Sequence, residues 1–194
     1  SGVNAGSNPD RLAAMDGNAV VFCADGLPWR SDGTVAGTQS LYGPGAQQVG
    51  PFSPRFLGQR FFVAAAGGAV VYRTDGTPAG TVALPGLLTS GTTVAWAQTP
   101  TRLLLFLGNN LYAIDGLNAP ELLRTGLPTQ PAPASLGNLV LFRGLDPATG
   151  VELWRTDGTA PGTFLVRDTR PGAANGLGTG NEPDWKMQAR PGQL

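Results

Sequence analysis

The stretch Glu152-Leu153-Trp154-Arg155-Thr156-Asp157-Gly158-Thr159-Ala160-Pro161-Gly162-Thr163 decides how the chain reads, because it comes back. Partial copies are Pro28-Trp29-Arg30-Ser31-Asp32-Gly33-Thr34-Val35-Ala36-Gly37-Thr38 and Val71-Tyr72-Arg73-Thr74-Asp75-Gly76-Thr77-Pro78-Ala79-Gly80-Thr81. A reduced copy is Leu111-Tyr112-Ala113-Ile114-Asp115-Gly116. The four aspartates stand 43, 40 and 42 residues apart. A period of that length belongs to a propeller blade or to a helical solenoid unit.

The residues between the copies choose between these two. Short apolar runs such as Ala19 to Cys23, Arg60 to Ala64, Leu103 to Leu107 and Leu139 to Phe142 alternate with Gly, Pro, Asn and Asp. Runs of that length bounded by turn formers are strands, whereas solenoid helices need about ten or more residues at a 3.6 period. The best-preserved unit parses into strands near 133–136, 138–144, 151–157 and 163–168, and the third into 93–98, 102–107, 110–115 and 121–124. The sequence therefore predicts an all-β fold, a β-propeller-type array of about four four-stranded antiparallel blades plus one extra strand. The units run over about 8–50, 51–90, 91–131 and 132–174 of a single repeat domain spanning 1–194, and 175–194 begins a further unit. That last assignment rests on Asn181 to Ala189, which matches Ser7 to Met15. Either the last strand closes a small ring or the array is a section of something longer, the reading favoured here, and the start at Ser1 fits a processed or cloned segment.

Composition narrows the partners. The 194 residues carry 13 Lys plus Arg against 13 Asp plus Glu, with only 13% charged residues, against roughly 25% in ordinary soluble domains. A balanced, sparsely charged surface is a poor match for a phosphate backbone or an anionic membrane, so nucleic acid is not an expected partner. No run of 18 apolar residues exists, so no transmembrane segment is predicted. The single Cys23 cannot form a disulfide within the chain.

Each repeated position has a structural reading. Residues two apart in a strand share a face, so Trp154 and Thr156 lie on one side and Leu153 and Arg155 on the other. The ring recurs as Trp29, Tyr72 and Tyr112, as expected if one aromatic per blade packs against the adjacent sheet; a sugar-stacking platform is the alternative. The Asp-Gly pairs Asp32-Gly33, Asp75-Gly76, Asp115-Gly116 and Asp157-Gly158 suit a turn, because Asp accepts nearby N–H groups and Gly takes positive φ. Arg30, Arg73 and Arg155, two residues before the Asp, are placed to pair with it or with backbone carbonyls. The third unit replaces this Arg with Ala113, the Thr before Asp with Ile114 and the following Thr with Leu117, so its turn must be held differently; it reads as a decayed copy, with a specialised surface as the alternative.

No cofactor and no metal are expected, because a calcium loop gathers several oxygen ligands and no such cluster occurs here. No catalytic residue stands out. The chain has no His, which removes Ser-His-Asp, Cys-His and His-ligated zinc chemistry from its own residues. Cys23 sits in an apolar run and reads as a core residue. Of ten Asp, six stand in Asp-Gly turns, which leaves few for a carboxylate pair.

Residues 152 to 159 resemble, in full, the Glu-Leu-Trp-x-x-Asp-Gly-Thr signature of a group of bacterial repeat proteins that are secreted or displayed at the surface, and Ala160 to Asp168 look like that family's usual continuation. The copies at 28 to 38 and 71 to 81 match in part, and the third only at Asp115-Gly116. The resemblance implies β-propeller-like architecture and an exported location, and it carries no catalytic residues to transfer. The expected function is a non-enzymatic binding or adhesion scaffold at the cell surface or outside the cell, contacting protein or glycan at the envelope through blade loops; the binding residues are unknown. Two alternatives stand beside it: a structural segment that completes a propeller with another chain or a second copy, and a carboxylate-dependent carbohydrate-active enzyme.

Overall fold

A computed structural model of the chain describes residues 9–41, 49–65, 68–86, 88 and 94–177. The match of 181–189 to the start of the chain lies outside the described residues, as does most of the further unit expected over 175–194. Among the described residues there is no helix. The strands are β1 (Asp10–Ala14), β2 (Val20–Ala24), β3 (Leu27–Ser31), β4 (Gln39–Ser40), β5 (Arg60–Ala65), β6 (Ala69–Thr74), β7 (Val82–Ala83), β8 (Val94–Gln98), β9 (Leu103–Leu107), β10 (Asn110–Ile114), β11 (Glu121–Arg124), β12 (Ala134–Leu136), β13 (Leu139–Asp146), β14 (Gly150–Thr156) and β15 (Phe164–Arg167).

They form four antiparallel sheets in which every strand pairs with its neighbour in sequence: β1–β4, β5–β7, β8–β11 and β12–β15, here sheets 1 to 4. Short hairpins explain this order, since a two-residue turn leaves the next strand nowhere to go but alongside. Between β2 and β3 the turn is Asp25-Gly26, both at positive φ (54° and 75°), the type I′ geometry whose twist matches the flanking strands. The register repeats too. Phe22 faces Trp29, Phe62 faces Tyr72, Leu105 faces Tyr112 and Phe142 faces Trp154.

Sheet 2 departs from the expected four strands. Its first strand is replaced by residues 49–53, which meet β5 through a Val49–Ala64 bridge and bonds from Gly50 N to Val63 O and Ser53 N to Phe61 O, each 2.7 Å. Pro51 and Pro54 lack the N–H that a continuous ladder needs, so the pairing is interrupted there, and the Ser53 hydroxyl adds a contact by accepting from Phe61 N at 2.9 Å.

The chain divides into two compact units, Ser1–Leu88 and Thr89–Leu194. In the first, Cys23 of sheet 1 packs with Val49, Phe62 and Ala64, and Phe62 stacks on Tyr72 with centroids 5.3 Å apart. Arg60 binds Ala14 O from Nε and Nη2, and Arg55 pairs with Asp16. In the second unit, Leu104, Phe106 and Leu111 of sheet 3 meet Val140, Phe142 and Trp154 of sheet 4, with Phe106 edge-on to Phe142 at 5.4 Å. One apolar residue after each sheet pins the connector by its N–H to the strand before it: Val49 to Gly26, Leu88 to Ala69, Leu127 to Asn109 and Leu177 to Val151, at 2.8 to 3.0 Å.

Candidate functional site

The aspartyl turns have one design in three sheets. Asp157 Oδ1 accepts the Thr159 N–H (2.9 Å) and its hydroxyl (2.7 Å), while Thr159 Oγ1 accepts from Gly162 N (3.0 Å). Thr163 Oγ1 donates to Thr159 O at 2.6 Å and lies 2.7 Å from Thr156 Oγ1. A hydroxyl has one proton. Thr163 gives its proton to the carbonyl, so Thr156 is the donor between the two hydroxyls, and its oxygen accepts from Gly158 N at 3.0 Å. The same set joins Ser31, Asp32, Gly33, Thr34, Gly37 and Thr38, and again Thr74, Asp75, Gly76, Thr77, Gly80 and Thr81. The glycine after each Asp takes φ of 88° to 97°, including Gly116.

The third turn is held differently, as its altered residues require. Asp115 Oδ1 accepts from Leu117 N and Asn118 N, both 2.9 Å, and Asn118 Nδ2 donates to Oδ2 at 2.6 Å. An amide side chain thus takes the place of the missing Thr. These bonds, with Arg102 nearby, hold the Asp115 carboxyl at a pKa of about 2; the Thr34 and Thr159 hydrogen bonds likewise draw Asp32 and Asp157 below the ordinary carboxylate value. Among the described residues no three His, Cys, Asp or Glu gather as a metal group would need. Cys23 is buried, and its burial pushes the thiol pKa up.

The aromatic positions are packed to different degrees. Trp154 and Tyr112 are 6% and 5% exposed, and Trp29 and Tyr72 are half-buried. Of the arginines two before each Asp, Arg155 lies over the Phe164 ring at 4.7 Å. Among the described residues none of the three forms an ion pair with its Asp within 4 Å. Glu152, the first residue of the signature, is fully buried and holds the connector: its Oε2 accepts the Thr169 hydroxyl at 2.7 Å and N–H at 3.2 Å.

The feature that sequence reading missed is a cleft in the second unit. A cavity of about 630 Å³ opens between the edge strand of sheet 3, from Leu122 through Gly126, and the β13–β14 turn with Leu145 and Pro147. Arg124 crosses its floor: the guanidinium carbon sits 3.6 Å from the Trp154 ring centroid, Nη2 donates to Leu145 O at 2.9 Å, and Asp146 Oδ2 is 3.8 Å away. Burial lowers the Arg124 pKa and Asp146 opposes that shift. A cation fixed by stacking, a carbonyl and a carboxylate is preorganised, with little rotamer freedom left to lose on binding. Two adjoining leucines give the cleft an apolar wall. No repeat position lines it, Trp154 being buried beneath Arg124, which is why the periodic signal did not point to it.

The described residues make an all-β fold of four antiparallel sheets, each built of strands consecutive in sequence. No protein-family model matches the chain, and no curated protein sequence matches it. A crystal structure of a puromycin hydrolase mutant complexed with PGG is similar to it, with a TM-score of 0.56 and 14% identity over 91% of this chain and 30% of that one. The chain therefore spans under a third of the length of the hydrolase it matches. This likeness is one of fold. It corrects the expectation that the chain is no enzyme: a fold of this kind forms part of a hydrolase, so neither the repeat architecture nor the lack of His places the chain outside enzymes.

Proposed function

We propose that the four sheets are blades of a β-propeller-type array, and that the chain is a recognition module of an exported protein, holding an extended segment of a partner protein in the cleft beside Arg124. The 40- to 43-residue spacing of the turns, the consecutive strand order and the repeated connector bond support the blade reading. The resemblance of 152–168 to the surface repeat proteins supports export.

The observation that carries the binding reading is Arg124 stacked on Trp154 at the floor of an open cleft whose wall is a sheet edge. An edge strand offers unpaired N–H and C=O groups in register with an extended peptide, and Leu122 and Leu145 offer apolar contact beside a fixed cation. A segment with an apolar residue next to an acidic one fits these groups. The glycan reading is weaker at this place, because the indole face is taken by Arg124 and the ring is buried. Peptide binding is a property that a hydrolase uses as readily as an adhesion protein does, so the reading agrees with the fold likeness.

Selection from a random peptide display library tests it. Enrichment of acidic-apolar peptides that lose at least tenfold affinity for Arg124→Ala is expected. Enrichment unaffected by Arg124→Ala and Leu145→Asp, or binding on a glycan array with none to peptides, would contradict it.

A further inference from the structure

The four sheets share equivalent register positions, and in sheets 1 and 4 four of those positions are out of line in burial. Phe22 of sheet 1 corresponds in register to Phe62, Leu105 and Phe142, opposite the repeated aromatic. Those three are fully buried; Phe22 is half-buried. On the opposite face, Leu141 of sheet 4 corresponds to Val21, Phe61 and Leu104, all fully buried, and Leu141 is half-buried. Leu153 behaves likewise beside the buried Val71 and Leu111. The connector residue after sheet 4 follows the same pattern: Leu177 is half-buried where Val49 and Leu127 are 3% and 0% exposed.

The two half-buried faces are opposite halves of an interface the protein already makes. In the first unit the ring-bearing face of sheet 2, with Phe62 and Tyr72, packs on the Cys23 face of sheet 1. In the second, the ring-bearing face of sheet 4 packs on the Leu104–Leu111 face of sheet 3. Sheet 1 keeps a ring-bearing face, with Phe22 and Trp29, and sheet 4 keeps the complementary one, with Leu141 and Leu153. Building on the blade reading, we infer that a second copy of this chain docks head to tail, its Phe22 face seated on the Leu153 face of the first. The interface is heterologous, so one copy carries both halves and assembly closes on itself or continues.

Two arginines sit on the sheet 4 face: Arg143, buried opposite Leu153 with its Nη1 donating to Gln130 O at 3.2 Å, and Arg155. The register equivalent of Arg155, Arg30, lies on the sheet 1 face that carries Cys23, which is packed against Phe62. An arginine at this place is therefore tolerated, its stem covering apolar surface and its head reaching the rim.

Sedimentation equilibrium of the whole chain tests the inference. Assemblies of two or more copies are expected as concentration rises. Phe22→Asp and Leu153→Asp, each blocked on one face, should each sediment as one copy, and mixing them should restore a dimer through the intact face of each. Val20→Lys repeats the test at a second half-buried site on the first face and Phe164→Lys at an exposed site on the other, and circular dichroism verifies that each variant is folded. A single-copy mass for the unaltered chain at every concentration overturns the pairing, including where its own termini cover the faces; variants that assemble as well as the parent overturn it too. Neither result touches the blade reading, which fails instead if a crystal shows the sheets arranged otherwise.

Discussion

Asp157 holds its turn through one oxygen, and the cost of that economy falls on Gly162. A methyl group at 162 would overlap the Asp157 carboxylate, as one at 37 would overlap Asp32 and one at 80 Asp75. The glycine is there for space and not for backbone angle. Gly162→Ala should destabilise the second unit by about 1–3 kcal/mol in urea denaturation, and Asp157→Ala should remove most of that penalty in the double variant. Additive effects would mean that the carboxylate and the glycine do not meet.

The same turns give a signed dependence on pH. Asp115 titrates at about 2 in the folded chain against an ordinary 3.8, so its stabilisation is complete above the ordinary value and is lost as pH falls through the folded one. Asp32 and Asp157 are drawn in the same direction. The account predicts loss of stability from Asp115 as pH falls from about 4 to 2, with Asp32 and Asp157 adding a loss of the same sign below the ordinary carboxylate value. Asn118→Ala should raise the Asp115 pKa, read by its carboxyl carbon in an NMR titration, and an unchanged midpoint would count against the role of the Asn118 side-chain hydrogen bond. The Asp-Gly pairs and the Thr that follows three of them were legible in the sequence. The role of Asn118 was not, because the sequence shows that a Thr is missing without showing which neighbour can reach the vacant oxygen.

Within each element, the middle two strands carry the core. Phe142 is fully buried against Phe106 in the second unit, and Phe142→Ala should cost about 3–5 kcal/mol, measured as a shift in urea midpoint at constant slope. Phe22→Ala, at the same register position in a half-buried face, should cost distinctly less; equal losses would show that the two positions share one environment. Strand positions were readable to within a residue or two, as at Leu103–Leu107 and Glu121–Arg124, because apolar runs and turn formers alternate so regularly. The missing strand of sheet 2 was written in Pro51 and Pro54, whose effect a repeat-based parse overrides. The cleft was not readable, since Arg124 and Leu145 come from different repeats and meet only once sheets 3 and 4 pack.

At the scale of the whole molecule, the two compact units each pair two sheets through one recurring kind of contact, a ring-bearing face on an aliphatic or thiol-bearing one. That recurrence is what the 42-residue period encodes, and it is why the faces left half-buried at Phe22 and Leu153 are informative. The likeness to part of a hydrolase extends the same point to function: the period reports how sheets are built, and it is silent on what chemistry a larger chain hangs on them. A crystal structure of the chain tests the blade reading most directly. The account predicts four sheets turned successively about one axis, with the Asp32, Asp75, Asp115 and Asp157 turns at equivalent places in each; sheets stacked face to face as a sandwich, with those turns scattered, would contradict it.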